Sequence, residues 1–152
     1  MRRRQSGPMG GRPAEDLLRL PVRLHGIQLG RPVDLIVDLA AERALGLDVR
    51  CGDEVNRFLP LAAATVGDDE ITVRSALTLL EEAELAFYRE RASSLADLRG
   101  VELEQDGRPA GRLRDVVVGP DGVLEAVLVE EDGGVRRLEA EDGFGLPAPS
   151  AA

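Results

Sequence analysis

The sequence predicts a mainly β protein built as two tandem small β-barrels joined by one α-helix, with disordered termini. Three observations carry that prediction. Gly30-Arg31-x-x-Asp34 followed by three aliphatic residues returns as Gly111-Arg112-x-x-Asp115 followed by three more, an internal repeat at a spacing of 81 residues. Short apolar runs are punctuated by the turn dipeptides Asp106-Gly107, Asp121-Gly122 and Asp132-Gly133, with no helical period between them. One stretch alone, residues 77–92, carries a helical period.

Residues 1–16 are rich in Arg, Gly and Pro and lack an apolar period, so they are expected to form a disordered tail. Their basic start, Met1-Arg2-Arg3-Arg4, has no apolar run of about 7–15 residues behind it, so export is not expected and the predicted location is cytoplasmic. The first unit, 17–76, reads as strands near 22–28, 30–38, 43–51, 55–62 and 70–75, with Asp68-Asp69 in a turn. Residues 77–92 read as a linking helix. Leu80, Ala83 and Phe87 share a face, Thr78-x-x-Glu81 matches a capping box, and early Glu with late Arg suits the helix dipole.

The second unit, 93–142, reads as strands near 101–104, 111–118, 123–130 and 134–139. Matches in the same order tie it to the first: Val22-x-Leu24 to Val101-x-Leu103, Leu45 to Leu124, and Val55 to Val135. It has no counterpart of residues 62–75, so it is expected to complete its barrel with a strand from the first unit or from another chain. Closure would remove strand edges open to unwanted pairing. Residues 143–152 read as a second disordered tail.

Leu29-Gly30-Arg31-x-x-Asp34, the following Leu45-Gly46-Leu47-Asp48-Val49 and Arg57-Phe58-Leu59-Pro60 together resemble the PRC-barrel domain. So does the run from Leu98-Arg99-Gly100-Val101 through Gly111-x-x-x-Asp115 to the Gly122 turn, giving two copies over about residues 17–142. The resemblance implies a small, six-stranded type of barrel related to the C-terminal domain of the ribosome maturation factor and the cytoplasmic part of the photosynthetic reaction-centre H subunit. In both settings the barrel is an adaptor surface and not a catalyst. The implied function is therefore a non-enzymatic adaptor or scaffold for protein–protein interaction. The alternative is a ribosome-associated maturation or RNA-processing factor that acts through a ribosomal protein. This chain departs from both relatives: no apolar stretch is long enough to span a membrane, and the N-terminal unit repeats the same Gly-Arg-x-x-Asp pattern.

Composition narrows the choices further. Arg supplies all 19 basic residues against 28 acidic ones, for a net charge of -9; the absence of Lys suggests a high-G+C, bacterial genome. The acidic balance argues against direct nucleic-acid binding, as do 3% aromatics and no Trp. Charge is uneven: residues 1–91 hold 13 Arg against 15 acids, and 92–152 hold 6 against 13. A half this acidic suits a basic protein partner, and a homodimer is the other expected assembly.

Candidate chemistry is sparse. Asp34 and Asp115 occupy one repeat position, and as a pair of carboxylates they would suit acid–base work or a metal. The simpler reading makes Gly30, Arg31, Asp34, Gly111, Arg112 and Asp115 a structural motif, each carboxylate accepting backbone N–H groups or pairing with Arg31 or Arg112 to fix a turn between strands. His25 is the single histidine, expected as an exposed or half-buried strand residue, and Cys51 is the single cysteine, expected as packing. No phosphate-binding glycine loop is present. No catalytic residue, cofactor or metal site is therefore predicted, and an enzyme is not expected.

Overall fold

The computed structural model describes residues 11–76, 79 and 92–146. Two curled antiparallel-rich sheets make up the fold. The first is built from β2 (Val22–Leu24), β3 (Ile27–Asp38), β4 (Arg43–Cys51), β5 (Asn56–Pro60), β6 (Ala64–Val66) and β7 (Ile71–Val73). It runs β5-β4-β3-β2-β7-β6, and the parallel pairing of β2 with β7 curls it toward closure. The second sheet is built from β9 (Glu102–Gln105), β10 (Arg108–Val118), β11 (Leu124–Glu131) and β12 (Gly134–Glu139). There the chain after β12 returns to β9, with Glu104 and Gly145 exchanging backbone hydrogen bonds. The mainly β prediction holds. The predicted linking helix at 77–92, with Thr78, Leu80, Glu81, Ala83 and Phe87, lies almost wholly outside the described residues, as do residues 1–10 and 147–152 of the predicted tails.

Local sequence explains the hairpins. His25-Gly26, Asp106-Gly107 and Asp132-Gly133 all hold positive φ at both central residues, the two-residue turn whose twist matches that of the strands it joins. His25 is therefore an exposed turn residue (φ 50°), not the strand residue predicted. The first two predicted strands move with it: the break falls at 25–26 and not at 29, because the first turn position before Gly26 holds histidine in the left-handed conformation in place of the Asn or Asp that usually marks such a turn. β3 then runs unbroken through Gly30. β11 is buried along most of its length, at Leu124, Ala126, Val127 and Val129, and becomes exposed only at its end, Glu130 and Glu131.

The repeat is reproduced in three dimensions down to its irregularities. β3 slips register against β4 between Pro32 and Asp34 and again between Ile36 and Val37. β10 slips against β11 between Leu113 and Asp115 and between Val117 and Val118. These bulges occupy equivalent positions in the two copies, which is expected of features that aim a particular side chain.

The structure departs from the sequence prediction at the N-terminal boundary. Arg12–Pro13 form β1 and Ala14–Leu17 form α1, a single helical turn, so this part of the predicted tail is ordered. β1 pairs with the far end of β10 in the second sheet: Arg12 with Val118 and Pro13 with Val117. The equivalent segment at the start of the second unit, β8 (Ser93–Ser94) and α2 (Leu95–Leu98), pairs with β3 of the first: Ser93 with Val37 and Ser94 with Ile36. The strand that extends the second sheet thus comes from residues ahead of the first unit. One large apolar cluster runs through both sheets, including Leu35, Leu47 and Leu59 from one and Leu113, Val116 and Val127 from the other, and Ile36 with Phe58 forms a second, small one.

Candidate functional site

The six motif residues fall at corresponding points of β3 and β10. Gly30 lies where a Cβ would run into the Arg50 carbonyl across the ladder, and Gly111 has a φ of +121° with the Glu130 carbonyl 3.0 Å from where a Cβ would stand. Both positions need glycine, for different reasons: close backbone approach in one and conformation in the other. Arg31 and Arg112 point outward, and the Arg31 guanidinium donates to the Arg19 carbonyl at 3.2 Å.

Asp34 and Asp115 are buried, at 8% and 3% exposure, and sit inside bulged strands and not in turns. Their acceptor bonds go to backbone. Asp34 Oδ1 accepts from the N–H of Leu35 (2.9 Å) and from that of Ala96 in α2 (3.1 Å). Asp115 Oδ1 accepts from Val116 (2.9 Å), while its Oδ2 accepts from Glu15 in α1 (3.1 Å). The first-turn N–H groups of a helix have no partner within the helix, and α1 begins after Pro13, which supplies no side-chain cap. Each carboxylate thus caps a helical turn belonging to the other half of the chain. Burial pushes the Asp115 carboxyl above the ordinary aspartate range, against the lowering effect of the Glu15 and Val116 N–H groups and of nearby Arg99.

Other titratable residues are dispersed. Cys51 ends β4, buried, with its Sγ 3.8 Å from the Val49 carbonyl and against the Arg57 guanidinium. Arg57 also binds Asp53 through two hydrogen bonds of 3.0 and 2.8 Å, and this contact holds the Asp53 carboxyl down at about 2. Among the described residues no three His, Cys, Asp or Glu side chains are grouped to hold a metal ion. No helix among them is long and apolar enough to cross a membrane.

Two surfaces remain. A cleft of about 550 Å³ lies between the β6 region and the β10–β11 turn, walled by Leu17, Leu61, Val66, Val118 and Pro120. Arg12 at its rim is tied to the Gly67 carbonyl and, at 3.2 Å, to Asp68. The second surface is the β12 edge. Among the described residues no strand pairs with its outer side, and Gly134, Val135, Arg136 and Arg137 are all exposed. Its counterpart β5 differs: none of its five residues is fully exposed, and it ends at Pro60, which has no N–H to donate. Val135 is 53% exposed beside Arg137, whose Nε donates to Glu139 at 2.7 Å. Neighbouring β10 and β11 add the Arg114–Glu130 pair at 3.0 Å. Sequence patterning found β12 as a strand. Its openness depends on sheet order, which a single strand's sequence does not encode.

No protein-family model and no curated protein matches this chain.

Proposed function

We propose that this protein is a tandem PRC-type barrel that works as a non-enzymatic adaptor, joining a partner protein through an exposed strand edge. The observation that carries the reading is β12, a proline-free edge with which no further strand pairs among the described residues and which has a largely exposed face. An edge of this kind offers backbone N–H and C=O groups to an extended segment, which gains affinity from main-chain hydrogen bonds and specificity from alternate side chains. The surroundings favour a basic segment. Glu130, Glu131 and Asp132 stand at the β11–β12 turn, in the half of the chain where acids outnumber Arg by 13 to 6. The repeat carboxylates support the same reading, because backbone N–H groups of the fold itself take up one oxygen of Asp34 and both oxygens of Asp115.

The test places a photo-crosslinking residue at position 135 of the full chain in its native cell, with position 53 on the other unit as control. A discrete protein product from 135 that is absent from 53 and is lost in the edge-blocking variant Arg137→Pro supports the proposal. Equal labelling from both positions, or turnover of a small molecule by a protein that forms no such product, overturns it.

A further inference from the structure

The exchange of β1–α1 and β8–α2 has consequences beyond any external partner. Each segment is carried by one half of the chain and seated on the other, and the seats are built alike. β3 and β10 each offer a strand end that pairs with two extended residues. Each then offers a bulge aspartate that accepts a backbone N–H of the helical turn that follows. Two apolar side chains of that turn are buried: Ala14 and Leu17 in one arm, Leu95 and Leu98 in the other. Both turns end in Asp-Leu, Asp16-Leu17 and Asp97-Leu98, with the acid in the first turn where the helix dipole favours it. Between the arms, the β3–β4 and β10–β11 turns meet: the Ala44 N–H donates to the Gly122 carbonyl and the Leu124 N–H to the Glu42 carbonyl, each at 2.8 Å.

We infer that the chain is a covalently joined, arm-exchanged pair, in which each half is the specific ligand of the other and the peptide link between the halves is not needed to hold them together. The seat on either half recognises a short segment of defined chemistry: two extended residues, a small or aliphatic residue, any residue, then Asp-Leu. Burial of this kind on both sides of an exchange is what maintains domain-swapped dimers, and here a single chain supplies both copies.

The experiment cuts the full chain. A protease recognition sequence is inserted after Glu84, the folded protein is cleaved, and the product is followed by size exclusion and native mass spectrometry. The expected result is one 1:1 complex of both fragments at the mass of the intact chain, 16.3 kDa plus the inserted residues, retained at micromolar concentration and unfolding in one transition. Fragments that separate at that concentration overturn the inference. In the cleaved protein Asp115→Asn is expected to weaken the fragment complex by about tenfold, the effect of one buried hydrogen bond. Unchanged affinity would mean that the arms do not hold the halves. Hydrogen exchange on the uncut chain gives a readout that no insertion can disturb. The Glu15 and Ala96 amides are expected to exchange only with the core amides of β10 and β3, by global unfolding, and their release through independent fraying of either arm also overturns the inference.

Discussion

The two repeat aspartates have the same sequence context and different acceptor geometry, so one substitution should act unequally at the two sites. Asp34 uses a single oxygen for both bonds, from Leu35 and Ala96. An asparagine there keeps both bonds by placing its carbonyl oxygen at that position and turning its NH2 away. Asp115 divides the work, Oδ1 taking Val116 and Oδ2 taking Glu15. In Asp115→Asn, either orientation of the amide brings NH2 against an N–H, and one donor loses its acceptor. An unsatisfied donor removed from water costs about 1–3 kcal/mol, whereas exchanging a charged for a neutral acceptor with bonds intact costs about 1 kcal/mol or less. Relief of the burial penalty on the Asp115 charge offsets part of this loss, which places Asp115→Asn at about 1–2 kcal/mol. Equilibrium urea unfolding of the full-length variants measures both values as midpoint shifts at constant slope. At this chain length each kcal/mol also lowers Tm by about 2–4 °C. Equal losses at both sites, or a larger loss for Asp34→Asn, would refute the assignment of the two acceptor patterns.

Three further outcomes follow from named contacts. Because burial raises the Asp115 carboxyl above its unfolded value near 3.8, the folded state binds its proton more tightly. Its contribution to stability is therefore greatest at low pH and falls as pH rises through that window. The urea-midpoint gap between wild type and Asp115→Asn should narrow from pH 3 to pH 7, and a gap that widens contradicts the shift. Arg57→Gln removes the bidentate contact to Asp53, so the Asp53 carboxyl, followed by its NMR chemical shift, should titrate above its present value of about 2 but stay below 3.8, because the Val55 N–H still donates to it. Gly111→Ala combines φ +121° with a crowded Cβ and should cost about 2–3 kcal/mol. Gly100→Ala, at φ +88° in open space, should cost about 1 kcal/mol, and thermal melts that reverse this order would show that the crowding is relieved elsewhere.

Strand content was legible because its signals are local. Asp106-Gly107 and Asp132-Gly133 name their own hairpin turns, and the aliphatic runs after Asp34 and Asp115 have no period but that of buried strands. The His25-Gly26 turn lacks the Asn-Gly or Asp-Gly dipeptide that usually marks a two-residue hairpin, and only its alignment with Asp106-Gly107 in the repeat identifies it. The arm at residues 12–17 was missed for a different reason. Six residues ending in Ala-Glu-Asp-Leu carry too few apolar positions to show a period, and their order comes from β10 and Asp115, about 100 residues away in sequence. A lone helical turn is unstable without such packing. The aligned Ser93-Ser94-Leu95-Ala96-Asp97-Leu98 is the available hint, since its shared Asp-Leu ending extends the repeat upstream, over 12–17 in one copy and 93–98 in the other.

That upstream extension changes what the recurring aspartate means. A residue that appears twice, buried and ionisable, invites a catalytic reading, since a pair of carboxylates can serve as general acid and general base. Here each one faces a different helical turn, and each spends one acceptor bond on an N–H that has no partner inside that one-turn helix. If one unit were removed, the carboxylate on the other would lose an N–H partner while the departing arm would leave its apolar seat open, so the cost falls on both units at once. The recurrence of Asp34 and Asp115 is then a consequence of the exchange: both seats must be kept for either half to be capped. Among the described residues, β12 is an open backbone edge that the exchange does not use.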